Sequence, residues 1–310
     1  MMKLKNHFQP NSWLMAFNWS TFKTRSLTAL VFVIIMLAGL LINQWSFFLL
    51  FSIIHFGCWV EYQELVGKID PGYKEISFFH KYGVMMAGWC LMLYFTMDAF
   101  TIFGIRLHEL GWWLGLMFIF LLPVIELLFA KNILLKNIGY SITGIIYISL
   151  SWGLLMEMTG ISQGTIEPFF KAHGFSIEIP IIIILSIWIN DTMAYIVGSL
   201  IGRTPFSKIS PKKTWEGTIG GVILCVATIF LFGFLIYGSI NERVINYAVI
   251  ALIASIAGTF GDLLESKLKR SAGVKDSGQL MPGHGGFLDR FDSLLLAIPF
   301  VWLYVRMFMN

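Results

Sequence analysis

The sequence predicts an all-α, polytopic integral membrane protein of about nine transmembrane helices with a cytoplasmic N-terminus. Of its 310 residues 57% are hydrophobic and 13% charged, where soluble proteins carry roughly 25% charged residues. Mean hydropathy is +0.75, and 28 Phe and 11 Trp add more apolar surface than a water-soluble body of this size can bury. Lysine and arginine are also sorted unequally between alternate connections. A soluble enzyme is excluded.

Runs able to cross about 30 Å of hydrocarbon lie near residues 26–43, 45–60, 82–100, 111–130, 138–158, 178–201, 217–238, 244–261 and 293–309. The first is too long for the apolar core of a cleavable signal and reads as a retained helix. Only Asn43 and Gln44 separate it from the second, which fits a tight helical hairpin. The third, fourth and fifth carry no chemical motif. The sixth holds Asn190 and Asp191 near its middle, and the seventh starts at Gly217. The second, eighth and ninth are short for a span, and the last two flank the longest polar stretch, residues 262–292.

With the N-terminus inside, 18 of the 22 Lys and Arg fall in inside segments, leaving Arg106, Lys171, Arg243 and Arg306 outside. That is the distribution expected of cytoplasmic loops. The chain reads as one membrane domain over 1–310, with motif-free lipid-embedded helices over 1–180 and the catalytic helices and loops over 181–310. Cys58, Cys90 and Cys225 lie in apolar runs without CxxC spacing, so they suggest packing residues and neither disulfides nor a zinc cage.

Chemistry concentrates in two inside segments. In the first, Ile189 to Gly221, Asp191 sits at membrane depth, where a carboxylate costs roughly 2.5–3.5 kcal/mol on insertion scales and needs a partner or a wet cavity. A functional role and a structural hydrogen bond explain Asp191 equally well. Gly198 and Gly202 read first as a GxxxG helix contact. Ser210, Lys213, Thr214 and Glu216 bring donors and charge beside a helix start at Gly217, a natural seat for phosphate, although a positive-inside loop explains the lysines as well.

The second segment runs from Gly261 to Ser293. Asp262, Ser266 and Lys269 or Arg270 recur at helical spacing, and Asp289 and Asp292 share a face at i, i+3. Between them Gly285 and Gly286 close a GHGG run that lets backbone amides approach a ligand. Hard oxygen donors without Cys or His suit magnesium. Carboxylates with Lys and Arg beside a glycine-rich loop suit phosphoryl or nucleotidyl transfer, which is mostly positioning and charge neutralisation. No Walker A pattern occurs. His284 reads as a general acid or a hydrogen-bonding fixture, and Lys275 with Asp276 as ligand contacts or a solvated pair.

The stretch SKLKRSAGVKDSGQLMPGHGGFLDRFD, Ser266 to Asp292, resembles the signature of the phosphatidate cytidylyltransferases, or CDP-diacylglycerol synthases, without a gap. The upstream NDxxAYxxGxxxGR and SPKKTWEG elements resemble the same family in the same order, so that the likeness spans residues 189–293. It implies a multi-helix enzyme, a homodimer, converting phosphatidate and CTP into CDP-diacylglycerol and pyrophosphate with magnesium, and with a second cation as an option. Asp262 and Asp289 would be its metal-binding acids. Lys213, Lys269, Arg270, Lys275, His284 and Arg290 would surround the nucleotide and phosphates. The partners expected are CTP, phosphatidate and membrane lipid, with no nucleic acid, in a bacterial cytoplasmic (inner) membrane. A CTP-dependent lipid or polyprenol kinase is the alternative, and a transporter stands third.

Overall fold

The computed structural model describes residues 19–129, 134–160, 175–278 and 285–309, with side chains from Leu27 onward. Lys131, Lys171 and His284 lie outside the described residues. Helix α1 (Trp19–Leu41) turns into α2 (Gln44–Ile69) at Asn43. There a capping box forms: Asn43 Oδ1 accepts from the amides of Trp45 and Ser46 at 2.9 Å each, and Ser46 Oγ accepts from the Asn43 amide at 3.1 Å. A 3-10 turn, Pro71–Glu75, leads to α3 (Phe78–Tyr94), which Ser77 caps. A two-stranded hairpin, β1 (Thr101–Ile102) and β2 (Ile105–Arg106), precedes α4 (Leu107–Phe129). Helices α5 (Leu135–Gly144) and α6 (Ser151–Met158) form one continuous rod through a π turn, Ile145–Leu150. The remaining helices are α7 (Glu178–Ile201), α8 (Trp215–Tyr237), α9 (Glu242–Ser271) and α10 (Leu288–Phe308).

Among the described residues the fold is all-α apart from that hairpin. Among the described residues seven helical rods are long and apolar enough to cross a membrane. Helix α3, at 17 residues, is shorter than that standard, and α1 adds the apolar stretch Leu27–Leu41. Five boundaries differ from the hydropathy reading by five residues or more, the first being α1, which starts at Trp19. Helix α2 continues to Ile69, α9 to Ser271, α3 ends at Tyr94, and α10 starts at Leu288. The charged residues that end an apolar run, such as Asp262 to Arg270, include good helix formers, so the helix outlasts its hydrophobic stretch.

Contacts sort the connections into two ends. At one, Lys136 Nζ meets Asp70 Oδ2 at 2.7 Å, Lys213 meets Asp262, and Glu61 accepts from Phe287 and Leu288. At the other, Glu157 holds Trp302 and Arg306, Tyr247 donates to Glu178, and Gln44 donates to Ala99. The main core, with Trp59, Trp152, Phe47, Phe51 and Leu155 fully buried, lies between α2, α6, α7 and α10. A smaller cluster, Cys225, Ile229, Tyr247 and Ala251, joins α8 to α9. By contrast α4 buries only Leu107 and Gly111, and its outward Trp113, Phe120, Leu127 and Leu128 suit lipid.

Candidate active site

Helices α7 and α8 approach closely enough that a Cβ at Gly217 would lie 2.7 Å from the Ala194 carbonyl oxygen and 2.9 Å from Gly198 Cα. Gly198 is thus a helix contact, as the GxxxG spacing suggests, and the approach brings the 202–214 loop over the end of α7. Glu216 braces that loop: its carboxylate accepts from the amides of Arg203 and Thr204 at 3.2 Å and from Thr204 Oγ1 at 2.8 Å. Thr214 caps α8 by accepting from the Gly217 amide, and Lys213 turns back over Ser210, to whose carbonyl its amide donates. Both α8 N-terminal residues expected to bind phosphate, Thr214 and Glu216, therefore make bonds internal to the loop.

Beside this loop lies a cavity of about 430 Å³, lined by Asn190, Asp191, Lys213, Thr214, Thr259 and Asp262 among others. Lys213 pairs with one Asp262 oxygen, and Ser266 Oγ donates to the other at 3.2 Å. A second cavity of about 160 Å³ shares Asp191 and is walled by Phe32, Met36, Ile187 and Trp188, with Asp289, Arg290 and Asp292 at its polar side. The charge of Asp262 reaches both Asp191 and Asp292, which come from two other helices. Asn190 Oδ1 is buried without a hydrogen-bond partner among the described residues.

Asp289 belongs to a different arrangement. Its Oδ1 accepts from Lys269 Nζ at 2.6 Å, and its Oδ2 accepts from Ser277 N, Ser277 Oγ and Gly286 N at 2.8–2.9 Å. A carboxylate has about four lone-pair positions; Lys269 and two amides occupy three of them, and the single Ser277 hydroxyl hydrogen is shared between Asp289 and Glu61. Glu61 is bound in the same way: it accepts from Ser277 Oγ at 2.6 Å and from the amides of Phe287 and Leu288 at 2.8 Å. Side-chain oxygen of Glu61 packs so close to Gly286 that no Cβ fits there, and Gly285 takes φ +78°. Glu61, Ser277 and Asp289 together form a latch that fixes the loop ends at the first turn of α10.

Of the other expected residues, Lys269 is shared between Asp289 and the fully buried Glu265, at 2.6 and 2.5 Å. Arg270 is exposed and donates to the Val274 carbonyl, closing the end of α9. Lys275, Asp276 and Arg290 are exposed, and Asp292 is buried with its Oδ1 accepting from the Ser293 amide. Sequence reasoning missed Glu61, Glu265 and Ser277. Glu61 fell one residue past the expected end of the second run, although an acid in the middle of FGCWVEYQEL carries the same signal as Asp191.

Among the described residues no three His, Cys, Asp or Glu side chains form a ready-made metal cage. The donor set still fits a hard divalent cation: three mutually repelling carboxylates, oxygen donors only, and Lys213 as the paired cation, with room for water and phosphate to complete the shell.

The sequence profile described as the Cytidylyltransferase family matches residues 23–308. The chain belongs to the cytidylyltransferase family. It is similar to the phosphatidate cytidylyltransferase of Bacillus subtilis, 36% identical over 191 residues, covering 59% of this chain and 65% of the relative. That of Haemophilus influenzae is 36% identical over 198 residues, covering 63% and 65%. That of Staphylococcus saprophyticus is 30% identical over 283 residues, covering 89% and 96%. The chain thus spans just under two thirds of the first two relatives and nearly all of the third. In this cytidylyltransferase family member the matched span includes both the acid-lined cleft and the latch.

Proposed function

We propose that the protein transfers a cytidylyl group from CTP to phosphatidate, giving CDP-diacylglycerol and pyrophosphate, at the cytoplasmic face of the membrane. The observation that carries this reading is the pair of cavities sharing Asp191, one holding Lys213 and Asp262, the other combining Asp289, Arg290 and Asp292 with aromatic and aliphatic walls. A polar nucleotide and a lipid acceptor need such a junction. The relatives' printed name, phosphatidate cytidylyltransferase, supports the choice of substrates.

The phosphomonoester of the acceptor is anionic near neutral pH, so an oxygen of that phosphate attacks the α-phosphorus of CTP without a strong general base. The bond from the α-phosphorus to its bridging oxygen breaks, and pyrophosphate leaves with the electron pair. The difficulty is repulsion between anions, which Lys213 and Arg290 reduce while the walls hold the nucleophile in line. Asp262 and Asp292, with Asp191, would hold magnesium, which when bound neutralises phosphate charge and orients the leaving group. Asp289 was the expected partner of Asp262 in that role; because Lys269 and the amides of Ser277 and Gly286 bond its carboxylate, we assign it to positioning the loop.

CTP labelled at the α-phosphate tests the reaction with magnesium and phosphatidate. Label in lipid supports nucleotidyl transfer, label in free CDP the kinase alternative, and intact CTP would overturn both. The nine-span, N-inside orientation rests on the charge partition and the two sorted ends. A reporter after Asn310 should read outside and one in the Pro71–Glu75 turn inside. A homodimer in a bacterial cytoplasmic membrane completes the proposal, tested by the mass of the purified protein in detergent.

A further inference from the structure

The smaller cavity is graded from a polar end to an apolar one. Its lining runs along α10 from Arg290 to Leu294 and along α7 from Asp191 back to Ile184, about 6 and 10 Å at 1.5 Å per residue. On the remaining side α1 supplies Phe32 and Met36, one turn apart. Met36 is buried, and the half-buried Phe32 ring packs on Phe291 with centroids 6.2 Å apart. The opposite face of α1, with Val31, Ile34 and Ile35 exposed, suits lipid. Among the described residues α1 packs chiefly on α2, where a Cβ at Gly39 would lie 2.8 Å from Leu50 Cβ. Anchored there, beside the Asn43 hairpin, α1 forms at Phe32 and Met36 a wall one helix thick between the cavity and lipid. A cavity of about 160 Å³ is well below the roughly 300–1,000 Å³ of pockets that enclose a drug-sized ligand. It has room for the headgroup end of a diacyl lipid and not for its chains, which must leave into the bilayer.

We infer that Phe32, with Met36, is a specificity-determining residue for the lipid acceptor: these α1 side chains touch the acyl carbons next to the ester, where the chains leave the cavity. The inference rests on the proposed phosphatidate acceptor. With the phosphate at Arg290, the gradient of the lining sends the chains toward Ile184, Leu294 and Met36, past the α1 wall. Carbons further along each chain lie outside the cavity. Discrimination therefore depends on bulk near the ester and not on bulk near the chain end. In an apolar pocket one such group is worth roughly tenfold to two-hundredfold in kcat/KM.

The test uses the full chain purified in detergent and three phosphatidates: one with plain hexadecanoyl chains, and two isomers carrying a methyl group at carbon 3 or at carbon 15 of each chain. Wild type should turn over the plain and carbon-15 acceptors alike and disfavour the carbon-3 isomer by about tenfold or more in kcat/KM. Phe32→Ala should remove most of that discrimination, Met36→Ala part of it, and Ile35→Ala, on the lipid-facing side, none. The ratio between two acceptors does not depend on how much of a variant folds. Wild type indifferent to the position of the methyl group would overturn the inference, as would a carbon-3 ratio unchanged in Phe32→Ala or relieved equally by Ile35→Ala. The two proposals fail separately. Lipid labelling with an unchanged ratio sinks the role of α1 alone. If wild type labels no lipid from CTP, the reaction falls, and displacement of radiolabelled plain phosphatidate by the two isomers without CTP reads the same ratio as binding. Loss of carbon-3 discrimination in Phe32→Ala then upholds the α1 wall, and equal displacement by both isomers from wild type overturns it.

Discussion

Three residues apart on α10, Asp289 and Asp292 occupy opposite kinds of surroundings. Around Asp289 and Glu61 every carboxylate oxygen meets donors: Lys269 and two loop amides on one acid, helix-start amides on the other, and one Ser277 hydroxyl shared between them. Around Asp292, Asp262 and Asp191 the acids repel one another, and the bonds in view are one amide, one hydroxyl and one lysine. A carboxylate whose hydrogen-bonding capacity is used up holds the fold. One whose capacity is left open, beside like charges, is held ready for a ligand, because nothing in the empty fold favours that arrangement. Latch and cleft are therefore separable by experiment, although they share one helix turn and one sequence motif.

The largest effect should come from Asp262→Asn. It keeps shape and the Ser266 contact but removes charge from the open cluster, so turnover should fall about a thousandfold or more, several kcal/mol of barrier. The melting temperature should hold or rise, because relief of repulsion offsets the part-exposed Lys213 pair. A large loss of stability would show that the cleft acids are structural and would erase the distinction.

Glu61→Gln and Asp289→Asn supply the reverse pattern. Each turns an acceptor oxygen into an NH₂ group facing amide or hydroxyl donors, at a cost of about 1–3 kcal/mol for a buried unsatisfied group and more where charge is lost. Thermal stability should drop, and the Val274–Asp289 segment should become sensitive to limited proteolysis, with activity falling in step. Asp289→Asn that melts normally yet is inactive would return it to the metal-binding role the motif suggests. Lys213→Gln should have a smaller effect, roughly tenfold to a hundredfold in kcat/KM from one lost charge-assisted contact. Stability should stay near normal.

Much of this division was hidden from the sequence. The helical architecture was legible because lipid imposes long apolar runs, and α7 and α8 began and ended within a few residues of their hydropathy limits. Asp262 and Lys213 were legible as a site because acids and bases cluster there, yet nothing in the spacing showed that they touch. Asp289 was expected, with Asp262, to be a metal-binding acid because the motif resembles the family signature. Only coordinates reveal that the same loop's amides, with Ser277 and Lys269, occupy its oxygens. Glu61 is more than two hundred residues from the loop it binds, and a tertiary bond at that separation leaves no local pattern to read.

The smallest effect should come from Asp70→Asn, outside both regions. Asp70 caps the 3-10 turn by accepting from the Gly72 amide at 3.1 Å and pairs with Lys136 at 2.7 Å. The hydrogen bond from Lys136 is the first cause holding its carboxyl below the ordinary carboxylate range, and the Gly72 amide adds to it. Asn keeps the cap through its side-chain oxygen, so the substitution isolates the charge. A carboxyl whose pKa is depressed on folding contributes stability that is fully present above the unfolded value, near 3.9, and is lost as pH falls through the folded one. Wild type and Asp70→Asn should therefore differ slightly in melting temperature at neutral pH and low salt, converge as the pH drops below about 4, and converge again in high salt, which screens an exposed pair. Turnover should match wild type throughout, since Asp70 lies in neither cavity lining. A loss of activity at neutral pH would mean that the α2–α5 connection is coupled to the cleft, through α2 and Glu61, and that latch and cleft cannot be perturbed one at a time.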